Sequence, residues 1–135
     1  MCGLAALIEP GRRFARDLLA AIDEDLFHRG PDSGGHVAGD GWAFVFRRLA
    51  IIDPNAQSDQ PMQSSSGRQT LVFNGEIYNY RALREELTQL GVVFRTHGDT
   101  ETLLQGYLTW GEGVLDRLEG MFAFCLVDQD RNVAI

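Results

Sequence analysis

The sequence predicts an α+β domain in which sheet and helix form separate layers. Short apolar runs of strand length are mixed with stretches whose apolar residues recur at helical spacing, and their order builds no regular βαβ repeat. At 135 residues, 44% hydrophobic and 23% charged, the chain has the size and composition of one globular domain, residues 1–135.

Cys2 to Ile8 is short, apolar and followed by Pro10-Gly11, a buried strand closed by a turn. Phe14, Leu18, Leu19, Ile22 and Leu26 then share one helical face, with Arg16, Asp17, Asp23 and Glu24 opposite. This helix stops near His28-Arg29-Gly30-Pro31, because Pro31 drives its predecessor out of helical geometry. Ser33-Gly34-Gly35 falls in the loop that follows. Trp42 to Phe46 and Leu49 to Ile52 read as strands, and 55–68 as a polar surface loop carrying Gln60-Pro61-Met62. Thr70 to Phe73 is a strand running into an Asn74-Gly75-Glu76 turn. A helix begins at Asn79, buries Leu83, Leu87 and Leu90, and ends at Gly91; Val92 to Arg95 is a short strand. Asp99 or Thr100 caps the next helix, which turns Leu103, Leu104, Tyr107 and Leu108 inward and ends at Gly111. Val114, Leu115 and Leu118 suggest a short helix. Met121 to Val127 is a strongly apolar strand, and Val133 to Ile135 begins a returning one. Because the sequence stops a few residues into that hairpin, a truncated domain is expected.

With 12 Lys+Arg against 19 Asp+Glu, the formal net charge is −7, which argues against nucleic acid and against an anionic membrane surface as partner. No apolar run reaches the length of a membrane span, the N-terminus lacks a basic signal-peptide start, and two cysteines cannot make a secreted disulfide scaffold. The expected compartment is the cytoplasm. His28, His36 and His97 are scattered and have no zinc-type spacing with Cys2 and Cys125, so no metal site is expected.

Four features could carry chemistry, each with a plain structural alternative. Removal of Met1 would give Cys2 both a thiol and an α-amine able to act as its general base; otherwise Cys2 is a small residue opening a buried strand. Asn74 and Gly75 could supply an amide side chain and a backbone N–H to an oxyanion, or simply form a turn. Arg48, at the mouth of an apolar strand, could clamp a carboxylate or lie solvated. Asp99 could hold an ammonium group or cap its helix.

Their joint occurrence with other motifs is more specific. Met1-Cys2-Gly3, His28-Arg29-Gly30-Pro31-Asp32, Arg48-Leu49-Ala50-Ile51-Ile52-Asp53, Gln60-Pro61-Met62, Phe73-Asn74-Gly75-Glu76-Ile77-Tyr78-Asn79, Asp99-Thr100-Glu101 and Leu118-Glu119-Gly120-Met121-Phe122-Ala123-Phe124 appear in this order. The series resembles the N-terminal glutaminase domain of glutamine-hydrolysing asparagine synthetases, a class II glutamine amidotransferase, over essentially the whole chain. The resemblance implies the N-terminal-nucleophile hydrolase fold, with two antiparallel sheets stacked between helical layers. It implies Cys2 as nucleophile, Asn74 and Gly75 as oxyanion hole, and Arg48 as carboxylate clamp. The backbone of Leu49, Ile51 and Ile52 would line the pocket, and Glu76 and Asp99 would hold the ammonium group of L-glutamine.

The resemblance further implies no cofactor in this domain, and ATP and Mg in a synthetase domain of the parent protein that is absent from this chain. Ser33-Gly34-Gly35 is followed by His36-Val37 and does not match that domain's Ser-Gly-Gly-x-Asp-Ser motif. The implied activity is hydrolysis of glutamine to glutamate and ammonia, supplying asparagine synthesis from aspartate in the parent. A sugar or cell-surface precursor as acceptor, or a non-catalytic fragment, are the alternatives, and a homodimeric parent is left open. Phe46 stands where many relatives have a His, a departure expected to alter pocket support rather than abolish activity.

Overall fold

A computed structural model of the protein describes residues 2–50 and 58–135. In chain order, the elements are β1 (Gly3–Ile8), α1 (Arg16–Leu26), β2 (Ser33–Gly39), β3 (Trp42–Arg48), β4 (Met62–Gln63), β5 (Gln69–Ile77), α2 (Tyr80–Gln89), α3 (Asp99–Trp110), β6 (Gly120–Asp128) and β7 (Val133–Ala134). Single 3₁₀ segments follow α1 and α3, the second (Gly111–Arg117) taking the place of the expected short helix. The strands form two antiparallel sheets, ordered β1-β3-β2 and β4-β5-β6-β7.

Strand alternation stacks these sheets into layers. On β3, Trp42, Phe44 and Phe46 point toward the second sheet and meet Val72 of β5 and Val127 of β6, with Leu4 of β1 alongside. The intervening Ala43 and Val45 face outward onto Leu19, Ile22 and Leu26 of α1, so β3 is buried on both sides. Leu71, Phe73 and Ile77 of β5 and Leu126 of β6 pack in the same way against Leu83 of α2 and Leu103, Leu104 and Tyr107 of α3. The result is helix, sheet, sheet, helix. Ile135 exchanges both backbone hydrogen bonds with Leu126 at 2.9 Å.

Several expected elements change. Ser33-Gly34-Gly35 opens the strand Ser33–Gly39 rather than falling in a loop, and the glycines of this strand admit large neighbours. A Cβ at Gly39 would lie 2.2 Å from Trp42 Nε1, and one at Gly34 would lie 2.7 Å from the Arg47 side chain. Asn74-Gly75-Glu76 is not a turn, because β5 runs on to Ile77 opposite Gly120. Val92 to Arg95 is not a strand. Val93 is 84% exposed and the segment has no ladder partner among the described residues. Leu49 and Ala50 lie outside β3, while Ile51 and Ile52 fall outside the described residues. Leu90 and Leu108 are exposed rather than buried. Asn79 precedes α2 but does not cap it with its side chain, which instead bonds Arg117 O and Glu119 N.

Candidate active site

The two long strands of the second sheet, β5 and β6, have nine residues each against seven in β2 and β3. On β5, the alternation that points Val72 into the core brings Asn74 and Glu76 to the same face beyond it, opposite Ala123 and Met121 of β6. Met121 is 70% exposed, so this end of the sheet forms one wall of a cavity of about 410 Å³. The cavity is lined by Cys2, Arg48, Leu49, Asn74, Gly75, Glu76 and Asp99, every described residue that the sequence singled out for the site. A volume of this order holds a small molecule of amino-acid size.

Cys2 immediately precedes β1 and meets the segment leaving β3. Leu49 N donates to Cys2 Sγ at 3.2 Å, and the thiol lies 3.6 Å from Leu49 O. Cys2 N donates to Asn74 Oδ1 at 3.0 Å. That bond occupies the acceptor end of the Asn74 amide and leaves Nδ2 as the end able to donate into the cavity. One Asn therefore touches the residue bearing the thiol and presents a donor on the same side.

Gly75 has φ +145° within β5, and a Cβ there would lie 2.2 Å from Met121 O and 2.5 Å from Phe122 Cα. Only glycine fits that approach of β6. Arg47 and Arg48 leave β3 on opposite faces. Arg47 pairs with Asp23 of α1, whereas the buried Arg48 reaches the cavity and donates from Nη1 to Asp59 Oδ1 at 2.8 Å.

Asp99 opens α3, where its Oδ2 accepts from Ile77 N at 3.1 Å. Burial pushes its carboxyl above the ordinary aspartate range. The hydrogen bonds from the Ile77, Asp99 and Thr100 amides oppose this, and the neighbouring Glu76 charge adds to it. Two negative groups at the same cavity wall are suited to an ammonium ligand. The loop before α3 is held by Glu101, which is fully buried and accepts from Arg95 N, Thr96 N and Thr96 Oγ1. Burial pushes the Glu101 carboxyl up, but those hydrogen bonds outweigh it and hold it below its ordinary value.

Gln60 also belongs to the cavity wall, although its sequence context assigns it no role. Its side-chain amide accepts from Phe73 N at 2.6 Å and donates to Phe73 O at 3.0 Å, acting as a strand partner beside Asn74. Phe46 is fully buried between the sheets in the cluster against which Cys2 packs, so it supports the start of β1 without lining the cavity. Among the described residues, no group of three or more His, Cys, Asp or Glu side chains could hold a metal ion, and no helix is long and apolar enough to cross a membrane.

The fold matches those of solved structures. The glutamine phosphoribosylpyrophosphate amidotransferase of Bacillus subtilis superposes with a TM-score of 0.59 at 18% identity, covering 93% of this chain and 29% of that one. An allosteric regulatory enzyme of purine biosynthesis superposes with the same score at 21% identity. The fold is thus that of the N-terminal-nucleophile amidotransferases. The glutamine amidotransferase domain family matches residues 1–135, and the chain belongs to that family. It is 47% identical over 145 residues to a Mycobacterium tuberculosis protein provisionally named a glutamine-hydrolyzing asparagine synthetase, covering 95% of this chain and 22% of that protein. It is 41% identical over 117 residues to asparagine synthetase 1 of Bacillus subtilis, covering 87% of this chain and 18% of that enzyme. The chain spans about a fifth of the length of these curated relatives.

Proposed function

We propose that this domain hydrolyses L-glutamine to glutamate and ammonia, with Cys2 as nucleophile once Met1 is removed. The observation that carries the proposal is the contact between Cys2 and Asn74 beside Gly75, in a cavity that Arg48, Glu76 and Asp99 also line. A zwitterionic amino acid needs a cation for its carboxylate, anions for its ammonium, and donors where negative charge develops on its side-chain amide.

The α-amine of Cys2 takes the thiol proton as sulfur bonds to the carboxamide carbon. The resulting oxyanion is held by Asn74 Nδ2 and the Gly75 N–H. Collapse breaks the C–N bond, and the α-ammonium returns its proton to the departing ammonia. Water, deprotonated by the same amine, then attacks the γ-glutamyl thioester; glutamate leaves and the thiol is restored. Ammonia passes to a synthetase domain of the parent protein, which would use ATP and Mg to make asparagine from aspartate. The names of the curated relatives favour this acceptor over a sugar or cell-surface precursor. Replacing Cys2 by Ala should abolish glutamate release in the full-length protein while ammonia-dependent synthesis persists, since free ammonia bypasses the thiol. A Cys2→Ala protein releasing glutamate at the wild-type rate would refute the assignment.

A further inference from the structure

The geometry points to Asp59 as the positioning residue for Arg48, and so as a determinant of how tightly the domain holds the α-carboxylate of its substrate; this rests on the glutamine-hydrolysis reading. Ser33 and Arg48 are direct partners across the β2–β3 ladder, with their side chains on one face. A single carboxylate oxygen, Asp59 Oδ1, accepts from both: Arg48 Nη1 at 2.8 Å and Ser33 Oγ at 2.9 Å. Asp59 thereby ties the chain entering Gln60 to the end of the first sheet.

Its location separates two roles that an acid beside this arginine could play. An acid inside the cavity would compete with substrate for the guanidinium. Asp59 does not line the cavity that holds Cys2, Asn74 and Asp99; it lines a separate groove with Pro61 and Arg95, while Arg48 lines the cavity itself. Asp59 therefore holds Arg48 without itself lining the cavity. A planar guanidinium has five N–H donors in a rigid fork, so this pair helps to fix its plane without exhausting its capacity to donate. The Arg48 side chain is 8% exposed and Asp59 42%, so the acid keeps contact with water while the guanidinium is buried. Without Asp59, Arg48 would lose one of the contacts that hold its guanidinium in place before substrate binds.

The test compares Asp59→Ala and Asp59→Asn with wild type in the full-length protein, measuring glutamate release against glutamine concentration. Loosening that side chain before binding should raise KM on the order of threefold to tenfold, with kcat nearly unchanged because the clamp is engaged equally in ground and transition states. Asp59→Asn keeps an acceptor for Ser33 but loses the charge, and should show most of the rise. The inhibition constant of 4-aminobutanamide, which is glutamine without its α-carboxylate, should not move; a merely structural role would weaken it alongside glutamine. A lowered KM would make Asp59 a competitor, and an unchanged KM would leave it no role at Arg48; either overturns the inference while hydrolysis stands. Wild-type protein that releases no glutamate from glutamine would overturn the hydrolysis reading and this one with it.

Discussion

Replacing Gly75 by Ala should be the most damaging single-methyl change in the domain. The position combines φ +145° with a Cβ site 2.2 Å from Met121 O and 2.5 Å from Phe122 Cα, both backbone atoms of the adjacent strand. An L-residue held in a sparsely populated backbone region costs about 1–3 kcal/mol, and forcing extra volume into a closely packed site costs about 1–3 kcal/mol more. The sum, roughly 2–6 kcal/mol, is a large part of the about 5–15 kcal/mol that holds a domain folded. In a domain of this size it should lower Tm by roughly 6–24 °C. Gly67→Ala is the control, since Gly67 has φ +71° but nothing within 4 Å of its Cβ site. It carries only the backbone cost of about 1–2 kcal/mol. Scanning calorimetry of both variants against wild type reads the difference. Equal Tm losses, or a Gly75→Ala protein that melts like wild type, would refute the close approach of β6 to β5 at this point.

Asn74→Ala should lower kcat by about 10²–10³ with little change in KM, because its donor meets charge that develops only in the transition state. Arg48→Ala should instead raise KM, and steady-state kinetics of the two variants would show whether that division holds. The Asp99 carboxyl is raised by burial, so its ionisation costs stability above its folded pKa. Asp99→Asn should melt higher than wild type at neutral pH while binding glutamine more weakly, checked by calorimetry and by KM. Glu101 is held low, so its contribution is present above the ordinary glutamate pKa and lost as pH falls through the lower folded value. Glu101→Gln should accordingly lower stability at neutral pH and flatten its acid dependence, measured as denaturation midpoints across pH.

The helices and the two long strands of the second sheet are legible in the sequence because their apolar periodicity coincides with burial. Leu19, Leu83, Leu87, Leu103 and Leu104 all face the core. What escapes notice is governed by neighbours distant in sequence. β2 has glycines where strands usually have β-branched residues, and is a strand because Trp42 and Arg47 of β3 need the space. Asn74-Gly75 has the composition of a turn, yet pairing with Ala123 and Phe122 keeps it in β5. Val92 to Arg95 has strand composition but no ladder partner among the described residues. The cavity residues Cys2, Arg48, Asn74, Gly75, Glu76 and Asp99 are recognisable as a set only through their motifs. Gln60 and Asp59 act through partners at Phe73, Ser33 and Arg48 that no local pattern announces.

The most direct test of the central claim is the rate of glutamate release with Met1 retained and with Met1 removed from the same full-length protein. Mass spectrometry fixes which form is present, and an engineered cleavage converts one to the other. With Met1 in place, the nitrogen that bonds Asn74 Oδ1 is an amide and cannot accept the thiol proton. General-base catalysis contributes about 10²–10⁴-fold, so exposure of Cys2 should raise the rate by at least that order. Equal rates in the two forms would contradict an N-terminal nucleophile and leave Cys2 as the small residue that precedes β1.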